Sequence, residues 1–196
     1  PVASSVWAQQ LLSRTSQSMA ALTGAQTDRM TRDDGWRLLS IGRQIERLDF
    51  LAHALHRALE TQCLQTQAGF DAVLALFDST ISFHAQYQQS RTLGALLELL
   101  LTHTDNPRAL GWVAQTLRGR LAKMGHLAQG ATEDMSKQIP VLSALDLATL
   151  SPDGRHHSDA LLQVLNDCRQ TARTVSDQLN SLFFSHSGET QQSVGA

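Results

Sequence analysis

The sequence predicts an all-α protein, a bundle of five to six mostly antiparallel helices. Leu, Ala and Gln are abundant while aromatic residues make up only 5% of the 196 residues, a composition that favours helix over sheet. Apolar residues recur at steps of three and four along most of the chain, which is the period of a helix. No alternating strand pattern or hairpin dipeptide interrupts them. We expect one helical domain over residues 1–186 and a disordered polar tail over residues 187–196.

Each predicted helix corresponds to one stretch of this periodicity. The first covers residues 2–30 and is weakened near its end by Gly24. The second covers residues 33–60 and opens with two aspartates, which suit the positive end of a helix dipole. Pro107 suits the first position of a later helix, where no hydrogen-bond donor is lost. The remaining helices are expected at residues 70–89, 93–102, 107–127 and 161–182, with 130–155 mostly loop containing short helical turns.

The helix at residues 33–60 is expected to be the most buried, because apolar side chains lie on two of its sides. One stripe consists of Leu38, Ile41, Ile45, Leu48, Ala52, Leu55 and Leu59. A second seam, on roughly the opposite side, consists of Trp36, Leu39, Arg43, Glu46 and Phe50. Packing on both sides would place Arg43 and Glu46 where a core normally continues.

Arg43, Glu46 and Arg47 form the first candidate site. A buried arginine or glutamate is costly unless it is paired and hydrogen-bonded. In a structural interpretation Arg43 pairs with Glu46, Arg47 bonds a carbonyl or acid on a neighbouring helix, and loss of Glu46 costs about 3–5 kcal/mol. In a functional interpretation the cluster binds an anion or carboxylate, because guanidinium groups offer planar pairs of donors. The spacing favours the structural interpretation and leaves the other open.

Composition argues against several classes of function. The net charge of −2 and pI near 6.5 provide no global field for nucleic acid or for an anionic membrane. The apolar run at residues 93–101 is too short to span a bilayer. Cys63 and Cys168 are expected to be reduced core residues. No phosphate-binding glycine motif or nucleophile elbow is present, so no cofactor is predicted.

The sequence contains two closely spaced pairs of histidines, and one of them has the spacing of a metal site on a helix. Asp49, His53, His56 and Glu60 step by four, three and four along the second helix. Metal sites in bundles need ligands from several helices, and no other helix offers a matching pair, so we expect a solvated rim and no metal site. His156 and His157, beside Arg155, are expected to lie in a solvated turn.

Several blocks of the sequence resemble a known family. Residues 30–38 (MTRDDGWRL), followed by 41–47 (IGRQIER), resemble the bacterial alpha-E domain, named for its helices and its Glu-Arg motif. Three further blocks fit in order: residues 78–81 with Tyr87, residues 106–108, and residues 184–186. Ser40 and Gln44 depart from the residues that the family often has. The family domain is longer at its front, so the chain is expected to match its C-terminal half. Secondary candidate residues within these blocks are Trp36, Arg37, Asn106 and Arg108.

The resemblance implies a function by context. Alpha-E domains have no established activity and occur fused to, or encoded beside, circularly permuted ATP-grasp proteins and transglutaminase-like proteases. Such systems are proposed to make or modify peptides by ATP-dependent amide formation. The resemblance therefore implies a cytoplasmic, non-catalytic accessory domain that docks the ligase or its peptide substrate.

Two alternatives stay open. One is an enzyme or ligand-binding bundle in which Arg43, Glu46 and Arg47 act on a peptide-like carboxylate substrate. The other is a purely structural bundle. A pocket opening onto the cluster would favour docking or catalysis, and a sealed cluster would favour the structural role.

Overall fold

The computed structural model describes residues 4–88 and 90–185, and within these ranges every regular element is helical. The predicted all-α fold is confirmed, with nine α-helices in the described residues where five to six were expected. The chain forms two compact units, Pro1–Leu39 and Ser40–Ala196. The single domain over residues 1–186 stays a prediction, while His186 and the expected tail at 187–196 lie outside the described residues.

The first unit contains helix α1, Ser5–Asp28, and the beginning of α2, Asp34–Glu60. Ser4 caps α1 by accepting a hydrogen bond from the backbone N–H of Trp7 at 3.2 Å. Asp33 caps α2 in the same way, accepting from the N–H of Trp36 at 3.0 Å. The predicted start of the second helix is therefore confirmed, and α1 buries none of its residues.

Helix α2 continues into the second unit and contains more buried residues than any other helix of the described chain. Its predicted stripe is confirmed from Ile41 to Leu59. The second seam behaves differently, because Phe50 is 54% exposed and Glu46 is exposed as well. The expectation that α2 packs on both sides at Glu46 and Phe50 is therefore wrong.

The third predicted helix is two helices, α3 (Gln67–Leu76) and α4 (Thr80–Tyr87). Asp78 adopts a left-handed conformation with φ of +47° and ends α3. The N–H groups of Asp78 and Ser79 donate to the carbonyls of Ala75 and Leu74, both at 2.9 Å. This is a Schellman ending, in which the position usually held by glycine is an aspartate. Gln89, the predicted end of this helix, lies outside the described residues.

The leucine-rich run forms α5, Leu93–Leu97, which passes directly into a π-helical turn, Glu98–Thr102. The leucines of this segment are buried, whereas Glu98 is exposed.

Helix α6 begins only at Leu110 and ends at Ala122, with Ala109 as its N-cap. Pro107 is therefore not the first helical residue, and residues 106–108 form a turn before α6. No helix within the described ranges is both long and apolar enough to cross a membrane.

The remaining helices are α7 (Ala131–Gln138), α8 (Leu147–Leu150) and α9 (Asp159–Phe183). The stretch expected to be mostly loop thus contains one helix of two turns and one short helix. Helix α9 buries all but the last of the apolar residues predicted from its sequence, whereas Leu182 is 42% exposed. The buried ones are Leu161, Leu165, Cys168, Ala172, Val175 and Leu179.

Both cysteines are free thiols. Cys168 is buried in α9, and its burial raises the pKa of its thiol to about 12. Cys63 is only half-buried and its Sγ lies 3.5 Å from the carbonyl oxygen of Ala58. Cys168 is a core residue as expected, and Cys63 lies at the edge of the core.

Gly111 fixes how closely α6 approaches the π turn. A Cβ atom at Gly111 would lie 2.7 Å from the carbonyl oxygen of Thr102 and 3.0 Å from that of His103. Both atoms belong to the backbone, so neither can move aside cheaply. Gly119, on the same helix, has nothing within 4 Å of such an atom.

We predict that Gly111→Ala destabilises the protein by about 1–3 kcal/mol, because overpacking forces backbone shifts. Gly119→Ala is the matched control and should stabilise it by about 0.5–1 kcal/mol, since alanine is the better helix former. Chemical unfolding of both variants measures the difference. Equal stability of the two variants would contradict the close approach at Gly111.

Candidate functional site

Three of the sequence blocks that resemble the family meet at one place in the second unit. The turn of residues 106–108 lies against the break between α3 and α4 at Asp78 and Ser79, and against Arg47 of α2. Arg47 and Pro107 are 60 positions apart in sequence. The structure therefore brings together Arg47, Asn106 and Arg108, three of the predicted candidates.

Asn106 holds this junction together from a buried position, with 8% of its surface exposed. Its Nδ2 donates to the carbonyl oxygen of Leu99 in the π turn at 3.3 Å and lies 3.5 Å from the Ser79 hydroxyl. Its Oδ1 accepts from the backbone N–H of Arg108 at 3.1 Å. One side chain thus joins the π turn, the α3–α4 break and its own turn.

Arg47 and Arg108 reach the surface on either side of this turn. Arg47 Nη2 donates to the carbonyl oxygen of Pro107 at 2.8 Å, so the expected bond from Arg47 to a neighbouring carbonyl is present. Arg108 Nε and Nη2 both contact Oδ2 of Asp78, at 2.8 and 2.7 Å. Burial, and then the charge of Arg108, lower the pKa of Arg47, although a guanidinium stays charged at neutral pH.

Two further arginines extend the positive surface. Arg43 lies one helical turn before Arg47 on α2, and Arg120 of α6 donates from Nη1 to the carbonyl oxygen of Ser40 at 3.2 Å. Burial, followed by the charge of Arg43, lowers the pKa of Arg120. We call these four residues, Arg43, Arg47, Arg108 and Arg120, the arginine face.

Glu46 does not form the buried ion pair that the second seam suggested. It is exposed, and within the described residues no salt bridge joins it to Arg43. The expectation that removing Glu46 costs about 3–5 kcal/mol is therefore wrong, because that cost applies to a buried ion pair and Glu46 is exposed. Periodicity placed Glu46 on the second seam of α2, but nothing in the sequence indicated that this part of the seam is exposed to solvent.

Trp36 and Arg37, the other secondary candidates, lie in the first unit. The guanidinium of Arg32 lies over the Trp36 ring, 5.6 Å from its centroid. Arg37 Nη1 donates to Asp34 at 2.5 Å within the first turns of α2. These contacts support the start of the helix.

Of the polar candidates on α2, Asp49 and His56 lie close to charged residues, and His53 is exposed. Asp49 lies 3.4 Å from Arg169 and 3.7 Å from Arg173, both on α9. His56 is buried with 8% of its surface exposed, and its Nδ1 lies 3.3 Å from Glu60, so the solvated rim expected here is wrong for His56. In residues 4–88 and 90–185 no group of three or more His, Cys, Asp or Glu could hold a metal ion.

Tyr87, at the end of α4, packs its ring 5.1 Å from that of Phe83. Partial burial, and then the nearby Glu98 carboxylate of the π turn, raise the pKa of Tyr87 to about 12. The phenol is therefore held in its protonated form well above its ordinary range. The sequence alone does not show that Tyr87 and Glu98 lie close together, because the π turn that exposes Glu98 within a run of buried leucines has no sequence signal.

Comparison with known proteins identifies the family. The match covers residues 2–184 and is to Alpha-E, described as a predicted alpha-helical domain with a conserved ER motif. The chain belongs to the Alpha-E family. The only Glu-Arg dipeptide in its sequence is Glu46-Arg47, on the arginine face.

Relatives of this Alpha-E chain include uncharacterized proteins of Mycobacterium bovis and of two strains of Mycobacterium tuberculosis. Each is 25% identical over 170 residues, which is 83% of this chain and 19% of the relative. The chain thus spans about a fifth of the length of the curated relatives it matches. No solved structure matches it.

We predict that Asn106→Ala destabilises the protein by about 1–3 kcal/mol, because the Leu99 carbonyl and the Arg108 N–H lose their buried partner. Asn166→Ala, an exposed position on α9, is the control and should change stability by no more than about 0.5 kcal/mol. Thermal or urea unfolding compares the two. If Asn106→Ala unfolds like its control, Asn106 does not hold the junction.

A second prediction concerns the single tyrosine. Absorbance at 295 nm should show Tyr87 titrating near pH 12, and Glu98→Gln should lower the midpoint while leaving it above 10, because burial remains. Since the folded pKa is the higher one, this group's stabilisation is complete below pH 10 and is lost as pH rises toward 12. Circular dichroism confirms that the protein is folded at each pH. A midpoint near 10 in the folded parent would contradict the burial of the phenol.

Proposed function

We propose that this Alpha-E domain is a non-catalytic accessory domain of a cytoplasmic peptide-synthesis or peptide-modification system. Its arginine face docks the ATP-grasp ligase or a carboxylate of the ligase's peptide substrate. The proposal rests on one observation: Glu46 is exposed, Arg43 and Arg47 beside it are half-buried, and none of the three lines either of two cavities of about 670 and 640 Å³. A charged surface outside the cavities suits a macromolecular partner better than a small enclosed substrate.

The chemistry of the arginine face favours acidic partners. Arg43 and Arg47 are neighbours at i and i+4. Burial and then the charge of Arg43 lower the pKa of Arg120, and burial and then the charge of Arg108 lower the pKa of Arg47. Among the described residues at this place, the guanidinium groups of Arg43, Arg47 and Arg108 outnumber the carboxylates of Glu46 and Asp78. A carboxylate brought between them relieves this repulsion and accepts paired hydrogen bonds.

The arginine face is also held in position before a partner arrives. Arg47 uses one N–H group on the Pro107 carbonyl, and a guanidinium has five donors, so others remain for a partner. Arg120 is held through the Ser40 carbonyl. Fixed side chains lose less conformational entropy on binding than mobile ones, which favours recognition.

The identity of the partner follows from the family context. The chain spans about a fifth of its curated relatives, which supports a role as one domain among several. The resemblance to alpha-E domains associates it with circularly permuted ATP-grasp proteins and transglutaminase-like proteases. In this proposal the bond-forming chemistry belongs to the ATP-grasp partner.

A second candidate is an enzyme that uses Glu46. Its support is that Glu46 is exposed and flanked by Arg43 and Arg47, where a substrate carboxylate could bind. A purely structural bundle is supported by the Arg47 bond to Pro107. The docking domain, the enzyme and the structural bundle predict different effects of substitutions at the arginine face.

We predict that Arg43→Ala weakens binding to the ATP-grasp protein, or to a glutamate-rich peptide substrate, by tenfold or more, since hydrogen bonds to charged groups contribute about 1.5–3 kcal/mol. Arg173→Ala removes the same charge from an exposed arginine on α9 and should bind like the parent. Calorimetric titration at low and physiological salt measures both, and tighter binding at low salt is expected.

The alternatives give other results. Equal binding by Arg43→Ala and Arg173→Ala would contradict docking through the arginine face. Absence of binding to both the ligase and the peptide would favour the structural bundle. Normal binding by Glu46→Gln, combined with loss of product when ligase and ATP are supplied, would establish the enzyme in place of the docking domain.

A further inference from the structure

A cavity of about 670 Å³ lies in the second unit, away from the residues of the arginine face. It is bounded by the end of α2, the connector to α3, the beginning of α5 and the turn before α9. Its apolar wall includes Leu59 and Phe70, both buried. Its polar wall contains Arg91, Arg155, His156 and His157. The cavity therefore combines an apolar lining with basic groups.

The turn that contributes three of these basic residues is an ordered structure. Asp153 Oδ1 accepts from the backbone N–H groups of Arg155 at 2.8 Å and His156 at 2.7 Å, and its Oδ2 contacts the His156 ring at 2.5 Å. These bonds hold the pKa of Asp153 well below its usual range, the His156 ring being the largest cause. Ser151 Oγ donates to the carbonyl oxygen of His156 at 2.9 Å.

The same turn is attached to the beginning of α5. The N–H of Gly94 donates to the carbonyl oxygen of Gly154 at 3.3 Å. Arg155, which follows Gly154, and Arg91, which precedes α5, both line the cavity. The expected solvated turn is confirmed, since the His156 side chain is 74% exposed, and the turn also forms part of the cavity wall.

The charges around the cavity are not neutralised within it. Arg91 Nη2 lies 3.4 Å from Asp71, a long contact that leaves other donors available. No ion pair reaches the Arg155 guanidinium within the described part of the chain. Of the described residues that line the cavity, none is a carboxylate.

We propose that this cavity binds a small organic anion with a carboxylate or phosphate head and an apolar body. The head is bound by Arg91 and Arg155, whose planar donors match both groups. The body lies against Leu59 and Phe70. The volume falls within the range of about 300–1,000 Å³ that is typical of ligand sites. The proposal is independent of docking through the arginine face, because the two sites share no residue.

Three eight-carbon probes test the proposal by calorimetric titration. Octanoate and octyl phosphate present the two heads, and octan-1-ol has the same apolar body without a charge. One or both anions should bind saturably at one site, and the alcohol at least tenfold more weakly. The tighter anion identifies the head. Failure of both anions to bind, or equal binding of the alcohol, would overturn the proposal.

Two arginine variants test the assignment of residues. Arg155→Ala should weaken binding of the preferred anion by tenfold or more, and Arg155→Lys by less, because an ammonium keeps the charge and loses the fork. Arg173→Ala removes one positive charge elsewhere and should bind like the parent. Arg155 is exposed, so its variants should unfold at the parent temperature, which a melting curve checks. Unchanged affinity in Arg155→Ala would overturn the assignment.

Discussion

The hydrogen bonds of one buried amide, Asn106, connect three segments of the second unit. They join the π turn at Leu99, the α3–α4 break at Ser79 and the turn that precedes α6. That turn fixes the Pro107 carbonyl that receives Arg47, and it positions Arg108 beside Asp78. Two residues of the arginine face, Arg47 and Arg108, are thus positioned by the turn that Asn106 holds. Burying an amide is favourable only when its polar atoms find partners, which explains why three segments converge on it.

The helices could be predicted where burial and periodicity agree. The stripe from Ile41 to Leu59 and the stripe of α9 are both core faces, and their spacing alone indicates this. The break at Asp78 was missed because apolar spacing continues through it and no glycine marks the left-handed residue. The π turn at Glu98–Thr102 was missed for a related reason, since its leucines are buried on all sides and show no helical phase.

The sites were predictable to a smaller degree. The importance of Arg47 could be inferred from the family blocks and from the cost of burying a guanidinium, and its bond to a carbonyl was anticipated. The exposure of Glu46 could not be inferred, because periodicity identifies the sides of a helix and does not state which are covered. Arg91 and Arg155 are 64 positions apart and line the same cavity, where a backbone bond joins Gly94 to Gly154. That these two arginines line one cavity follows from the tertiary structure and cannot be inferred from the sequence.

The unequal environments of the two thiols have a practical consequence. Thiol reagents attack the thiolate, and Cys168 is both enclosed and protonated at neutral pH, because the pKa of its thiol is about 12. Cys63 is the half-buried one, and its neighbours in sequence, Gln62 and Leu64, line the cavity that contains Arg155. A maleimide fluorophore would therefore attach at one place, beside the cavity, in the unaltered sequence. The protein carries its own labelling position for following occupancy of that cavity in real time.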